Sequence, residues 1–232
     1  MGLKLKTAHW RQFNYIMETS VVKSIRDEFN KNEANYLSSS LAHRKSALKF
    51  VLNRNFPDRK DEEYKYTPVN QILKKKFDFK NTVTSITTDF DFEDYFYKLE
   101  GNHLVFLNGS YQPFRSKIHN EICCHLEKNS NQTFNDIFDA LNIAFYENSL
   151  KIEVNKNYRS QPFFIYYFYD SQQGQIFGNP NIQIVGHSNT RIEILEKTIS
   201  RGTYPVFINK KVSVRANANA EVNITKIQNY KK

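Results

Sequence analysis

Asn181-Ile182-Gln183-Ile184-Val185-Gly186-His187-Ser188-Asn189-Thr190-Arg191-Ile192-Glu193-Ile194 alternates apolar and polar side chains twice, with a break between Gly186 and Asn189. Thirty residues later the same pattern returns as Val212-x-Val214 and Val222-x-Ile224, with Ala216 in place of Gly186 and Asn219 in place of Asn189. Thirty residues earlier, Ile152-x-Val154 and Pro162-x-Phe164 fill the corresponding places. A strand–turn–strand unit recurring at a fixed interval predicts a β-solenoid, each unit burying one face of its strands against the next. An antiparallel sandwich also has alternating strands, but three copies with matching internal offsets favour the solenoid.

Toward the N-terminus the period changes. Trp10, Phe13, Met17, Val21, Ile25 and Phe29 step by three or four residues and predict one helical stripe. A second helix is expected from about Ser40 to Asn55, capped by Ser38, Ser39 or Ser40 and apolar along Leu41, Leu48, Val51 and Leu52. Phe56-Pro57 ends it, because proline disfavours the α conformation in the preceding residue. Pro68 opens a short helix through Ile72 and Leu73, and the acidic Asp89-Phe90-Asp91-Phe92-Glu93-Asp94 suits another helix start. Leu104-Val105-Phe106-Leu107 followed by Asn108-Gly109 predicts a strand and tight turn. Helical spacing returns at Phe134, Ile137, Phe138, Leu141 and Phe145. The expected organisation is therefore α+β: a helical region over 1–100, then the start of a right-handed parallel β-helix over 101–232.

The 232 residues suffice for a core without disulfides, and two cysteines cannot build a disulfide framework, which points to the cytoplasm. The longest apolar run, Phe163 to Tyr169, is far shorter than the roughly 20 residues of a membrane-spanning helix. Lys4 and Lys6 stand where a secretory leader needs its apolar region. Thirty-three basic against 24 acidic residues give a net charge of +9, yet the densest block is only Lys74-Lys75-Lys76, with Asp58, Asp61, Glu62 and Glu63 nearby. That pattern reads as a solvated surface and argues against a nucleic-acid partner.

Three segments together resemble the SufB/SufD family of iron–sulfur cluster assembly scaffolds, on its SufD branch. Arg44-Lys45-Ser46-Ala47-Leu48 followed by Phe56-Pro57-Asp58-Arg59-Lys60-Asp61-Glu62-Glu63-Tyr64-Lys65-Tyr66-Thr67 is similar to the family's N-terminal signature, with Tyr64 where tryptophan is usual. Leu104 to Gly109 with Ser116 resembles the entry to the β-helix. Ala140-Leu141-Asn142-x-Ala144-Phe145, then Ile152-x-Val154 and Pro162, resembles the place where it becomes regular, with Ser149 at an expected turn glycine and Asn148 able to supply a left-handed backbone.

The resemblance implies a non-catalytic scaffold subunit whose partners are a SufB-like paralogue and a SufC-like ABC ATPase. An iron–sulfur cluster is implied only for the assembled complex. Family members continue beyond the length of this chain, and their ATPase-binding segment and cluster-building cysteine and histidine lie in that continuation. The chain is thus expected to be either a fragment or a shortened member. Phe56, Pro57, Arg59, Glu62, Glu63, Tyr66, Asn108 and Gly109 are the motif positions, expected to be structural or interfacial.

Other chemistry is sparse. Cys123, Cys124 and His125 could ligate a metal with His103 or His119, but adjacent cysteines in a strand point to opposite faces and zinc sites space theirs further apart. Asp61, Glu62 and Glu63 lack a neighbouring histidine and read as helix-start carboxylates. No Gly-x-Ser-x-Gly elbow or phosphate-binding glycine loop occurs. Two rival readings are a carbohydrate-active β-helix enzyme, for which Glu153, Gln183, Glu193, Ser213, Arg215 and Asn223 form no convergent set, and a basic nucleic-acid-binding module.

Overall fold

A computed structural model of the chain describes residues 20–79, 91–119, 123–127, 132–155 and 161–229. Trp10, Phe13, Met17, Lys4, Lys6, Asp89 and Phe90 therefore lie outside the described residues. No helix among the described residues is long and apolar enough to cross a membrane.

The helical stripe appears as α1 (Ser20–Asn32), with Val21, Ile25 and Phe29 buried. The second helix is α2 (Ser38–Leu52), two residues earlier than its spacing predicts. None of the three serines caps it: Leu37 stands at the N-cap without a side-chain hydrogen bond, and Ser40 Oγ instead donates back to the Leu37 carbonyl at 3.0 Å. α3 (Val69–Lys76) follows Pro68 as expected. The acidic stretch forms a 3₁₀ turn over Glu93–Tyr95. α4 (Ile137–Phe145) has a side-chain cap, Asp136 Oδ1 accepting from the Asp139 amide at 2.7 Å. α4 packs on α2, so the helical core gathers Ile25, Phe29, Ala47, Val51, Phe56 and Leu141.

β1 (Asn102–Leu107) turns through Asn108 and Gly109 into β2 (Ser110–Tyr111). Both turn residues have positive φ, 51° and 96°, as a two-residue hairpin requires. A Cβ on Gly109 would also lie 2.7 Å from the Asn179 amide nitrogen, so the turn needs glycine twice over. β3 (Cys123–Glu127) is antiparallel to β4 (Ser149–Val154). The remaining strands are β5 (Phe163–Ser171), β6 (Ile176–Gly178), β7 (Asn181–Gly186), β8 (Arg191–Gly202), β9 (Val206–Ile208), β10 (Lys211–Ala216) and β11 (Glu221–Asn229).

They form three sheets, ordered β11-β8-β5-β1-β2, β10-β7-β4-β3 and β6-β9. Every pairing among β4 to β11 is parallel, as is β1 with β5. Between the last two repeats the offset is the expected thirty residues: Val212 faces Ile182, Val222 faces Ile192 and Val206 faces Ile176. The first repeat is longer. Ile152 faces Ile184, an offset of 32, and Phe163 faces Ile194, an offset of 31. The pairings of Ile152 with Ile182 and of Phe164 with Ile194 are thus corrected. One extra residue lies between β4 and β5, and another between β5 and β6, where 172–175 replaces 203–205. A one-residue slip exchanges the faces of a strand. Phe163, Ile165, Tyr167 and Tyr169 consequently enter the inner cluster with Leu104, Ile152, Ile184 and Ile194, while Phe164 goes to the outer face.

Asn189 and Asn219 both adopt left-handed backbones, at φ 63° and 57°, and Asn219 Nδ2 donates to Asn189 Oδ1 at 3.1 Å. Asn209 and Asn179 repeat the ladder one corner away, at 3.3 Å. Asn148 is not among the positive-φ residues; Ser149 opens β4, buried, with its hydroxyl 2.7 Å from Asn181 Oδ1.

The outer face of the larger sheet is aromatic, Phe164, Tyr166 and Phe168 lying under Phe92, Phe96 and Tyr97. There His103 Nε2 donates to the Leu99 carbonyl at 3.1 Å, leaving Nδ1 to accept from the Tyr166 hydroxyl at 3.2 Å. Burial holds His103 below the usual histidine pKa. Burial also pushes the Tyr166 phenol up to about 12, against a hydrogen bond from the Tyr97 amide, and pushes Tyr36 up to about 12, against the Arg44 charge. Because both are raised above the unfolded value near 10, their contribution is intact below pH 10 and is lost as pH climbs toward 12. Tyrosinate absorbance during alkaline titration should show these two ionising later than exposed tyrosines, with stability falling over that window. Tyr36→Phe and Tyr166→Phe together should flatten the fall.

Candidate functional site at the edge of the parallel strands

Among the described residues, β9, β10 and β11 each end a sheet. Such a strand presents backbone N–H and C=O groups on its free side. Here the three free sides come from one repeat, so they are adjacent links of a single stretch of chain. Side chains inward in the preceding repeat are buried, as Ile182, Ile184, Ile192 and Ile194 are. Their counterparts Val212, Val222 and Ile224 are only partly covered, and Val214 is 46% exposed. The apolar interior thus opens at this edge.

Polar chemistry enters the interior at the same place. Ile165, Glu196 and Lys226 face one another across β5, β8 and β11, so one inward column runs from apolar to acidic to basic. The Glu196 carboxylate is 2% exposed. Its Oε1 accepts from the Tyr167 hydroxyl at 3.0 Å and its Oε2 from Lys210 Nζ at 2.6 Å. The Lys210 ammonium also sits 4.4 Å over the Tyr167 ring. Burial lowers the Lys210 pKa, and Glu196 opposes that shift. Burial and the Glu196 charge hold Tyr167 well above the usual phenol value, so its proton stays on to donate. Both Glu196 oxygens have donors within the cluster, which suits holding strands in register more than moving protons.

The motif residues scatter by role. Phe56 is buried in the helical core, 5.9 Å from the Phe138 ring, and the Pro57 carbonyl accepts from the Asn70 amide at 3.1 Å. Arg59, Glu62 and Glu63 lie on the surface, and Tyr66 is 90% exposed. Asn108 Oδ1 accepts from the Asp170 amide at 2.9 Å, tying the hairpin turn to β5.

Cys123 and Cys124 both lie in β3, and Cys124 packs on the inner cluster. His125 alternates to the other face, 3.4 Å from Glu127, which also meets Lys151 and Gln183. Cys124 and His125 therefore face apart, and His103 is engaged with Leu99 and Tyr166. No three His, Cys, Asp or Glu side chains among the described residues form a group suited to a metal. Gln183 and Glu193 join polar ladders, Asn223 Nδ2 donating to Glu193 Oε1 at 3.1 Å.

Sequence reasoning missed Glu196, and it placed Arg44 in the signature segment without assigning it a role. Glu196 continues the alternation of Ile192 and Ile194, so its inward position is implicit in the pattern. Arg44 shares a helix face with Leu48 and Val51 and is only 3% exposed.

No protein-family model matches the chain, and no curated protein matches it significantly.

Proposed function

We propose that the chain is a SufD-like scaffold subunit of an iron–sulfur cluster assembly complex, winding after its helical region as a right-handed parallel β-helix. The observation that carries this is the thirty-residue parallel register of Val212 on Ile182 and Val222 on Ile192, with asparagines stacked at the corners. Repeats of this kind build extended surfaces for other proteins. The open edge at β9, β10 and β11 supplies such a surface, with free backbone groups beside apolar side chains. Within the Phe56–Thr67 signature, Arg59 to Glu63 and Lys65 to Thr67 are exposed, Tyr66 most of all among its large apolar side chains. In this reading the chain holds no cluster alone and works in the cytoplasm. Its partners are a SufB-like paralogue and a SufC-like ATPase, which brings the nucleotide chemistry.

Co-expression with both partners tests the reading. The expected result is co-elution as one complex. Substituting Val214→Lys and Ile224→Lys at the open edge should weaken capture without changing helical content by circular dichroism. Failure of the unaltered chain to co-elute with either partner overturns it.

A further inference from the structure

Residues 91–101 lie over the outer face of the larger sheet, a face the scaffold reading does not use. The segment pairs with no strand among the described residues and has one 3₁₀ turn, Glu93–Tyr95. Aromatic rings hold it down. Phe92 meets Phe168 edge to face with ring centroids 4.7 Å apart, Phe96 stacks on Tyr166 at 4.6 Å and Tyr97 tilts over Phe164 at 5.6 Å. Hydrogen bonds through His103 fasten it further. The Tyr97 amide donates to the Tyr166 hydroxyl at 3.0 Å, that hydroxyl donates to His103 Nδ1, and His103 Nε2 donates to the Leu99 carbonyl.

This chain of donors works only while the imidazole is neutral, because a protonated ring has no acceptor nitrogen. A proton on Nδ1 would aim a second N–H at the Tyr166 oxygen. The Tyr166 proton would then lose its acceptor inside an aromatic cluster, since that hydroxyl has no other partner among the described residues. The His103 ring is 8% exposed and lies against Phe96 and Phe164. The charges closest to the cluster are cationic. Lys117 faces His103 across a β-bridge, Lys197 lies over the Tyr97 ring and donates to the Tyr95 carbonyl, and Arg115 lies over Phe92. The segment's own Asp91, Glu93, Asp94, Lys98 and Glu100 are exposed, as is His119 on the chain beyond Lys117.

We propose that 91–101 is an acid-released strap: protonation of His103 undoes its hydrogen-bonded fastening and lets it lift from Phe164, Tyr166 and Phe168, baring an aromatic face. Burial holds the imidazole below its ordinary 6.5, opposed by the Leu99 carbonyl and reinforced by the Lys117 charge. A depressed histidine favours the closed state in full above 6.5, and that contribution is lost as pH falls from 6.5 through the closed-state value. The strap can open before the sheet does because it contributes no strand to it.

Hydrogen exchange of the full chain by NMR, from about pH 7.5 to 4.5 and corrected for the intrinsic rate of exchange, tests this. The opening constant read at the Tyr97 amide should rise by up to about tenfold per pH unit below 6.5 and level off at the closed-state pKa. The His103 ring resonances should titrate at that same levelling point. The Tyr167 amide, in β5, should not follow. His103→Gln keeps a donor and an acceptor without titrating in this range, and should abolish the rise; His103→Phe keeps the ring stacking and is the second variant. An opening constant at Tyr97 that ignores pH in the unaltered chain overturns the inference. So does a His103 ring that titrates at 6.5 or above, a rise shared in full by Tyr167, or a rise that both variants retain.

Discussion

Replacing Arg44 with methionine is expected to destabilise the protein by about 3–5 kcal/mol, because it orphans several buried acceptors at once. The guanidinium lies inside the helical core, donating from Nη1 to the carbonyls of Ala144 at 3.2 Å and Tyr146 at 2.8 Å, with Ile143 at 3.5 Å. These carbonyls end α4, where no intrahelical donor remains. Tyr36 and Tyr146 sandwich the same group, their ring centroids 4.5 and 4.3 Å away. Its Nε donates to Ser40 Oγ at 3.2 Å. One side chain thus joins α2 to the C-terminus of α4 across about a hundred residues of sequence. Urea denaturation of Arg44→Met measures the loss. Arg44→Lys should recover less than half, since a single ammonium cannot span the same fork or stack between two rings. A loss below about 1 kcal/mol would place Arg44 among ordinary surface substitutions and reject this account.

How much of this was legible depended on whether the signal was local. The strands, the Asn108-Gly109 turn and the paired corners at Asn189 and Asn219 follow from alternation and from the few residues that tolerate positive φ. The parallel pairing of the last two repeats follows because nothing is inserted between them. Spacing alone misaligns the first repeat because one extra residue falls between β4 and β5 and another between β5 and β6, outside the alternating strands that carry the periodic signal. There the inward face was settled by packing: Phe163, Ile165 and Tyr167 complete a cluster that Phe164 cannot enter. The cap of α2 misled for another reason. Ser40 lies within the helix, where its hydroxyl donates back to the Leu37 carbonyl and accepts from Arg44 Nε one turn on, so both bonds are local to α2 and neither is the forward N-cap bond. The helical core depends on a partner far along the chain, α4, whose apolar stripe was visible but whose neighbour was not. At the proposed scaffold edge the exposed apolar side chains were legible as a consequence of repetition. The charged column beside them required the pairing register.

That column sets up the second large effect. Lys210→Met removes the only cation in hydrogen-bond contact with the buried Glu196 carboxylate among the described residues and leaves it with the Tyr167 hydroxyl. A buried carboxylate stripped of its cation costs about 3–5 kcal/mol. Glu196→Leu should cost less, about 1–3 kcal/mol, because Lys210 is 19% exposed and can turn its ammonium toward water. The double variant, Glu196→Leu with Lys210→Met, should return close to the unaltered stability, since Ile165 already shows that this column accepts an aliphatic side chain one strand earlier. The three measurements form a cycle whose interaction energy should exceed about 2 kcal/mol, beyond what independent sites give. Hydrogen exchange locates the effect: because β10 and β11 each pair with a single strand among the described residues, Lys210→Met should release their amides first and leave α1 and α2 protected. Additive free energies would mean that Glu196 and Lys210 do not depend on one another. Uniform loss of protection across both cores would mean that the edge repeat does not unfold on its own, removing the physical reason for a partner to settle there.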